Sequence, residues 1–288
     1  DGPEISEHVL RAGLGARWMA YQQEPSNTIW IVMNSGYLAG ITYLKEQDVI
    51  AWHQHGISGG FDKEYAFVES AASIPSTNGY TTYLIVKRTM SGITTRYIEY
   101  IEKDFNPLSV TDKDELFFVD SLLTYNGPAS TTFAGLEHLA NEIVSVVVYG
   151  SALAPQLISV TGVLTLEKPA SNVVVGLPYA SILKTLPLEG ATDSNTGPAQ
   201  GRIKRIDRLG IRLMESIGLR HGLSLSSLTT LSFRTSQGAM DQSPVLTSKD
   251  FEVLLDDTYN LQSQYYIAQV DPYPLTILAL MPRFRTAN

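Results

Sequence analysis

Between Asn27 and Ile101, apolar residues come in short runs broken by turn residues, without the three-to-four spacing of an amphipathic helix. TIWIVM (28–33), YLAGITYL (37–44), DVIAWHQH (48–55), YAFVESAASI (65–74), TYLIVKRT (82–89) and TTRYIEYI (94–101) are rich in β-branched and aromatic side chains. Such residues suit a pleated, half-buried surface, so each run is predicted to be a strand. Asn34-Ser35-Gly36, Ser58-Gly59-Gly60, Asn78-Gly79 and Ser91-Gly92 separate the runs and carry turn chemistry. Ahead of them, Ile5 to Leu14 has helical spacing: Ser6 can cap its start, and Val9, Leu10 and Leu14 recur at helical intervals.

Within this region NTIWIVMNSGYLAGITYL (27–44) can be laid over YTTYLIVKRTMSGITTRYI (80–98), which sets Trp30 on Tyr83, 53 residues later. Each copy is a hairpin, and two further strands lie between them. Four short strands in a period of roughly 40–50 residues is the pattern of propeller blades. Two copies cannot close a propeller, so further blades are expected upstream. A chain that opens at Asp1 without a methionine agrees with that expectation.

DFNPLSVTDKDEL (104–116) is polar and acidic and reads as a connection between domains. EIVSVVVYG, QLISVTGVLTLE and SNVVVGLPYASIL follow as strands of a compact barrel or sandwich, then a Gly/Thr/Ser-rich loop at 189–201. LSFRT, FEVLLD, QYYIAQV and PLTILALMP again look like strands, with Leu275 to Leu280 expected to be fully buried. Segment 203–217 fits a helix (Ile206, Leu209, Leu213 and Ile217 on one face) or a strand (Leu209, Ile211 and Leu213 on one face). Gly210 and Gly218 weaken the helix, and strand is preferred. The expected fold is all-β with one short N-terminal helix. Residues 1–115 form partial β-propeller blades, 116–201 a β-barrel or sandwich domain, and 202–288 a C-terminal β-domain.

The chain of 288 residues carries 29 acidic and 21 basic side chains, a net charge of −8, which argues against a wholesale grip on nucleic acid. It has no cysteine, so disulfides and thiolate metal sites are excluded. No run of about 18 apolar residues suggests a membrane-spanning helix, and no phosphate-binding glycine motif or nucleophile elbow occurs. His53 and His55, two apart on a strand, would share a face and could hold a metal. No obvious third ligand lies nearby, and the plainer reading is polar residues on an outer strand. Glu99 and Glu102, with Asp112, Asp114 and Glu115, are the visible acidic clusters; a solvated strand end and linker explain them better than paired catalytic carboxylates. On a regular strand Arg202, Lys204, Arg208 and Arg212 would share one face. That stripe suits a phosphate backbone or, preferred here, a salt-bridge face between or within subunits.

Four stretches together resemble the tail nozzle proteins of short-tailed bacteriophages, the tail tubular protein B family. They are AYQQEPSNTIWIVMNSGYLAGITYLKEQDVIAWHQH (20–55); FVESAASIP (67–75) with YLIVKRTMSGITTRYIEYIE (83–102); TYNGPASTTFAGLEHLANEIVSVVVYGS (124–151); and PASNVVVGLPYASILKTLPLE (169–189) followed by 200–222. They cover well over half the chain in order and correspond to the C-terminal portion of the family. The ending MPRFRTAN is more basic than the family pattern. The resemblance implies β-propellers joined to sandwich or barrel domains and a structural, non-enzymatic virion protein with no cofactor and no catalytic residues. It implies a hexameric ring in the phage tail, assembled in the bacterial cytoplasm, that retains DNA and passes it at ejection. Its implied partners are a tail adaptor, tail fibre or spike proteins, and transiently the DNA. Candidate interface or lumen contacts are Arg202, Lys204, Arg208, Arg212, Glu99 and Glu102. The alternative is a carbohydrate-binding tail-tip module, with Trp30, Trp52 and the tyrosines stacking on host glycans.

Overall fold

The computed structural model describes residues 15–60, 65–77, 79–102, 104–106, 108–109, 113, 115–189, 191–193, 197–198, 201–233 and 245–286. Over these the protein is all-β, with antiparallel pairing throughout and helix confined to short turns. The helix expected at Ile5 to Leu14 lies outside the described residues. Two compact units are present. The first is built from residues up to 112 with 119–146 and 154–179, and the second from 113–118, 147–153 and 180 onward.

In the first unit, β1 (Ala16–Gln22), β2 (Thr28–Met33), β3 (Leu38–Leu44) and β4 (Val49–His55) form a four-stranded meander in chain order. A second meander follows: β5 (Phe67–Ser76), β6 (Gly79–Met90) and β7 (Ile93–Tyr100). The six strands expected between Thr28 and Ile101 are β2 to β7. Trp30, Val32 and Leu38 of the first sheet pack with Val68, Ala71, Leu84 and Val86 of the second. Trp18 Nε1 donates to the Ala71 carbonyl at 2.8 Å, and Thr82 Oγ1 to Gln22 Oε1 at 2.9 Å, so polar links edge this core. The opposite face of β2 is also covered, with Ile31 and Met33 packed among Ala39, Ile41 and Trp52. Burial on both faces is why TIWIVM has almost no polar alternation.

The 53-residue offset has a structural counterpart. It sets Ile31 and Met33 on Leu84 and Val86, all four buried, and Trp30 and Val32 on Tyr83 and Ile85, which are exposed. The positions that face the second sheet from the first are thus the open positions of the second.

The third sheet is dominated by two 14-residue strands, β8 (Asp120–Phe133) and β12 (Leu164–Leu177), paired antiparallel with three register shifts. β9 (Ile143–Val148) lies beside β12, and β11 (Gln156–Leu157) pairs with β9. The last residues of β9 run into the second unit and pair with β10 (Ser151–Ala152). β8 was not anticipated: DSLLTYNGPASTTF carries Gly127, Pro128 and many hydroxyls, and it is a strand because β12 supplies its hydrogen bonds. Among the described residues no sheet closes into a barrel.

The second unit holds β13 (Ser181–Lys184), the short pair β14 (Ala191–Asp193) and β15 (Gly197–Pro198), β16 (Lys204–Ser216), β17 (Arg220–Gly222), β18 (Thr229–Thr230), β19 (Thr247–Leu254), β20 (Tyr266–Gln269) and β21 (Thr276–Thr286). One sheet runs β19-β16-β21 and another β13-β20-β17-β18. Ile206, Leu209, Ile211 and Leu213 of β16 meet Leu219, Val253, Tyr265 and Ile267 in the core of this unit. Segment 203–217 is therefore strand, as preferred. Leu275 to Leu280 are not fully buried: Leu275, Ile277 and Leu280 pack toward the core while Thr276 and Leu278 face solvent. The apolar run belongs to an edge strand with one face open, so apolar sequence there does not mean burial on both sides.

Leu84, 4% exposed between the first two sheets, gives a direct test of that core. Leu84→Ala is expected to cost about 2–5 kcal/mol, read as a lower urea midpoint at unchanged slope.

Candidate functional site

The basic stripe of β16 is divided by one residue. Ile206 opposes Phe284 and Arg208 opposes Arg283, so Asp207 is an extra residue in the ladder with β21. A bulge of this kind reverses which side chains point inward. Lys204 and Ile206 are inward before it, and Leu209, Ile211 and Leu213 after it. Lys204 is 2% exposed, its backbone exchanges two 2.9 Å hydrogen bonds with Asn260, and Ser263 Oγ donates to its carbonyl. Arg208 and Arg212 face solvent, and Arg202 is half-buried just before the strand. The four cations expected on one face are thus split by the bulge.

The two outward arginines are neutralised across the strand. Arg208 Nη1 lies 2.7 Å from Glu252 Oε1, and Arg212 forms a two-point pair with Asp250 at 2.8 Å. Each guanidinium is held further toward its charged form by the hydrogen bond to its carboxylate. A depression of about 290 Å³ opens over Gly210, between Arg208, Asp250, Glu252, Met281 and Arg283. Both signs of charge line it. The salt-bridge reading of this strand therefore has an intrachain component.

Glu99 is drawn into a buried ionic cluster in the first unit. Arg88, on β6, is fully buried, and its Nη2 and Nε donate to Glu99 at 2.6 and 3.1 Å. Its Nη1 donates to the Ser58 carbonyl, and Ser121 Oγ donates to Glu99 at 3.1 Å. Ser58 in turn donates through N–H (2.8 Å) and Oγ (2.9 Å) to Asp120 Oδ2. Burial raises the Asp120 carboxyl, opposed by the Ser58 hydrogen bonds and the charge of Arg88. Burial, with the Asp120 charge behind it, raises the Tyr179 phenol. Glu102 is half-buried near Tyr100, where its charge is the main cause raising that phenol. Glu99 and Glu102 are thus engaged in different surroundings and do not form a carboxylate pair around an open cleft.

His53 and His55 do share a face. His53 Nδ1 lies 2.7 Å from His55 Nε2, and Thr42 Oγ1 lies 3.2 Å from His53 Nε2. In register, His53 sits opposite Gly40, which sits opposite Trp30. A Cβ on Gly40 would collide with the His53 ring. The glycine therefore lets the imidazole reach toward Trp30, whose ring meets both histidines edge-on at 5.6 and 5.2 Å. His55 keeps an outer edge in solvent yet is hemmed in by its neighbours; that lost hydration, with the proximity of His53, holds its pKa at about 4. Lost hydration also lowers His53.

Of the aromatics weighed for sugar stacking, Trp30 is buried at 7% exposure and Trp52 packs beside Ile31 and Met33. Sequence reasoning missed Arg88 and Asp120 altogether. Strand alternation marks Arg88 as inward, between Val86 and Met90, and that was the available signal.

No protein-family model matches the chain, and no curated protein matches it. No helix among the described residues is long and apolar enough to cross a membrane, and none of them gathers three or more His, Cys, Asp or Glu in metal-binding geometry.

Asp120 makes stability pH-dependent in a defined direction. A carboxyl raised on folding favours the protonated native state, so its contribution is fully present below the ordinary value of 3.8 and is lost as pH rises through the raised one. Asp120→Asn keeps an acceptor for Ser58 and cannot ionise. Melting temperatures measured from about pH 4 to about pH 8 should fall less steeply for this variant than for wild type.

Proposed function

We propose that this chain is a structural subunit of a bacteriophage tail, part of a ring that forms the nozzle or lower tail tube and passes DNA without catalysis. The observation that carries the reading is β7. It is an eight-residue edge strand whose Ile93, Ile98 and Tyr100 are 69%, 79% and 57% exposed. Apolar side chains left exposed on an edge strand, here among Thr94, Thr95 and Arg96, are a hazard in an isolated protein and are readily covered by a partner. In a closed ring each subunit covers the edge of its neighbour through a head-to-tail contact.

The sequence resemblance supports the tail assignment, and the two meanders support reading the first unit as successive propeller blades. The charge arrangement suits a conduit. A net charge of −8 and arginines already paired with Glu252 and Asp250 leave little to trap a sliding phosphate backbone. In this reading the subunits form a six-fold ring, dock on a tail adaptor and carry fibre or spike proteins, all within the virion tail.

Electron microscopy of the natural protein, alone and mixed with its tail adaptor, tests this directly. Six-fold rings with a channel wide enough for duplex DNA are the expected result; persistent monomers under both conditions overturn it. Ile98→Asp should reduce ring formation, scored by sedimentation, while leaving the far-ultraviolet circular dichroism of the monomer unchanged.

A further inference from the structure

We propose that the outward face of the β16–β21 ladder, at the Asp207 bulge, is a seat for successive phosphates of a DNA backbone. The inference rests on the tail reading for the DNA that meets the site, and on local geometry for the site itself. Arg205 lies directly opposite Arg285 in the ladder, and Arg208 directly opposite Arg283. Like charges placed opposite one another on neighbouring strands are destabilising, so two such pairs in succession call for counter-charge. Within the chain that supply is incomplete. Asp207 serves two of the arginines at once, its Oδ2 lying 3.0 Å from Arg285 Nε and 4.0 Å from Arg283 Nε. Glu252 takes Arg208, and Asp250 is occupied by Arg212. Arg205 stands over the Tyr259 ring at 5.2 Å, a contact that orients a guanidinium without neutralising it. Four arginines thus share two carboxylates, a local surplus of positive charge in a chain whose net charge is −8.

The form of the surplus suits a phosphodiester chain. Every cation in it is an arginine, whose planar fork matches phosphate oxygens in a two-point contact. Arg283 and Arg285 are two residues apart on β21, about 7 Å along the strand, and the DNA of the tail reading presents phosphates at a comparable step without interruption. Among the described residues β21 is an edge of its three-stranded sheet, and these two side chains are 63% and 58% exposed, so a long polyanion has access to them. The surplus is also small. Two contacts hold a backbone weakly and let it go readily, unlike the extended basic surface of a protein that grips DNA. A conduit that keeps DNA at rest and then passes it needs a seat of that strength.

The test is binding of a short fluorescently labelled DNA duplex, read by anisotropy with the full chain raised to about 1 mM. Binding is expected, and with two phosphate contacts it should weaken about tenfold between about 50 mM and about 200 mM salt. Arg285→Ala should cut that salt effect to about threefold, and Arg285→Lys should restore most of it. Asp207→Asn enlarges the surplus and should bind more tightly. Arg212→Ala removes the same charge from a paired position on the same sheet and should leave binding nearly unchanged. The inference fails if the wild type does not bind the duplex at about 50 mM salt, or if Arg212→Ala loses as much as Arg285→Ala. It also fails if polyglutamate binds more tightly than the duplex, which would make an acidic protein surface the partner. Anisotropy on the chain alone does not depend on ring formation. Rings that do not bind DNA therefore overturn this inference and spare the tail reading, while persistent monomers that bind it with the expected salt effect do the reverse.

Discussion

A guanidinium with no access to water sets terms for the whole first unit. Arg88 cannot stay buried and charged without counter-groups, and those come from three separate segments: Glu99 on β7, the Ser58 carbonyl before β5, and, through Ser58, Asp120 at the start of β8. A buried pair of this kind contributes little net energy compared with an apolar replacement, but losing one partner strands a charge and is severe. Its effect is therefore one of specification. The β6–β7 hairpin pairs Arg88 with Glu99, and the 56–60 turn and the entry to the third sheet must join it before the remaining donors of Arg88 and the carboxylate of Asp120 are satisfied. The carboxyl of Asp120, raised by burial, is the weak point of that arrangement.

Two other places show how a single residue redirects a strand. Asp207 inserts into the ladder of β16 and splits one basic stripe into a buried Lys204 and outward arginines paired with Glu252 and Asp250. Gly40 removes one side chain from β3, and the space admits an imidazole from β4 that would otherwise be turned away. Neither device changes the sheet order. Each changes which chemical groups meet.

The proposed role as a tail conduit subunit draws on the same features. Antiparallel ladders run through both units, arginines of β16 are paired across to β19, and apolar side chains are left on the edge strand β7. The 53-residue offset adds a directional element: Trp30 and Val32 of the first sheet are packed against the second, while their counterparts Tyr83 and Ile85 in the second stay exposed. A stack of such sheets can be extended by adding another on the open face, which is the logic of a propeller.

The order of β2 to β7, the all-β character and the strand state of 204–216 were determined by the sequence alone. Short β-branched and aromatic runs between turn residues have few other ways to bury their apolar surface. The pairing of His53 with His55 on one face was also legible, because strand periodicity is local. What only the tertiary structure decided has a common cause: partners distant along the chain. β8 is a polar strand made possible by the backbone of β12. Leu278 is open because its outer strand is covered on one face. Arg88 is buried because Glu99 and Ser58 close on it. Lys204 and Arg212 part company because β21 registers against β16 with one residue to spare. Local pattern states which conformation a segment can adopt; which face is covered, and which charges meet, depends on the segments that fold against it.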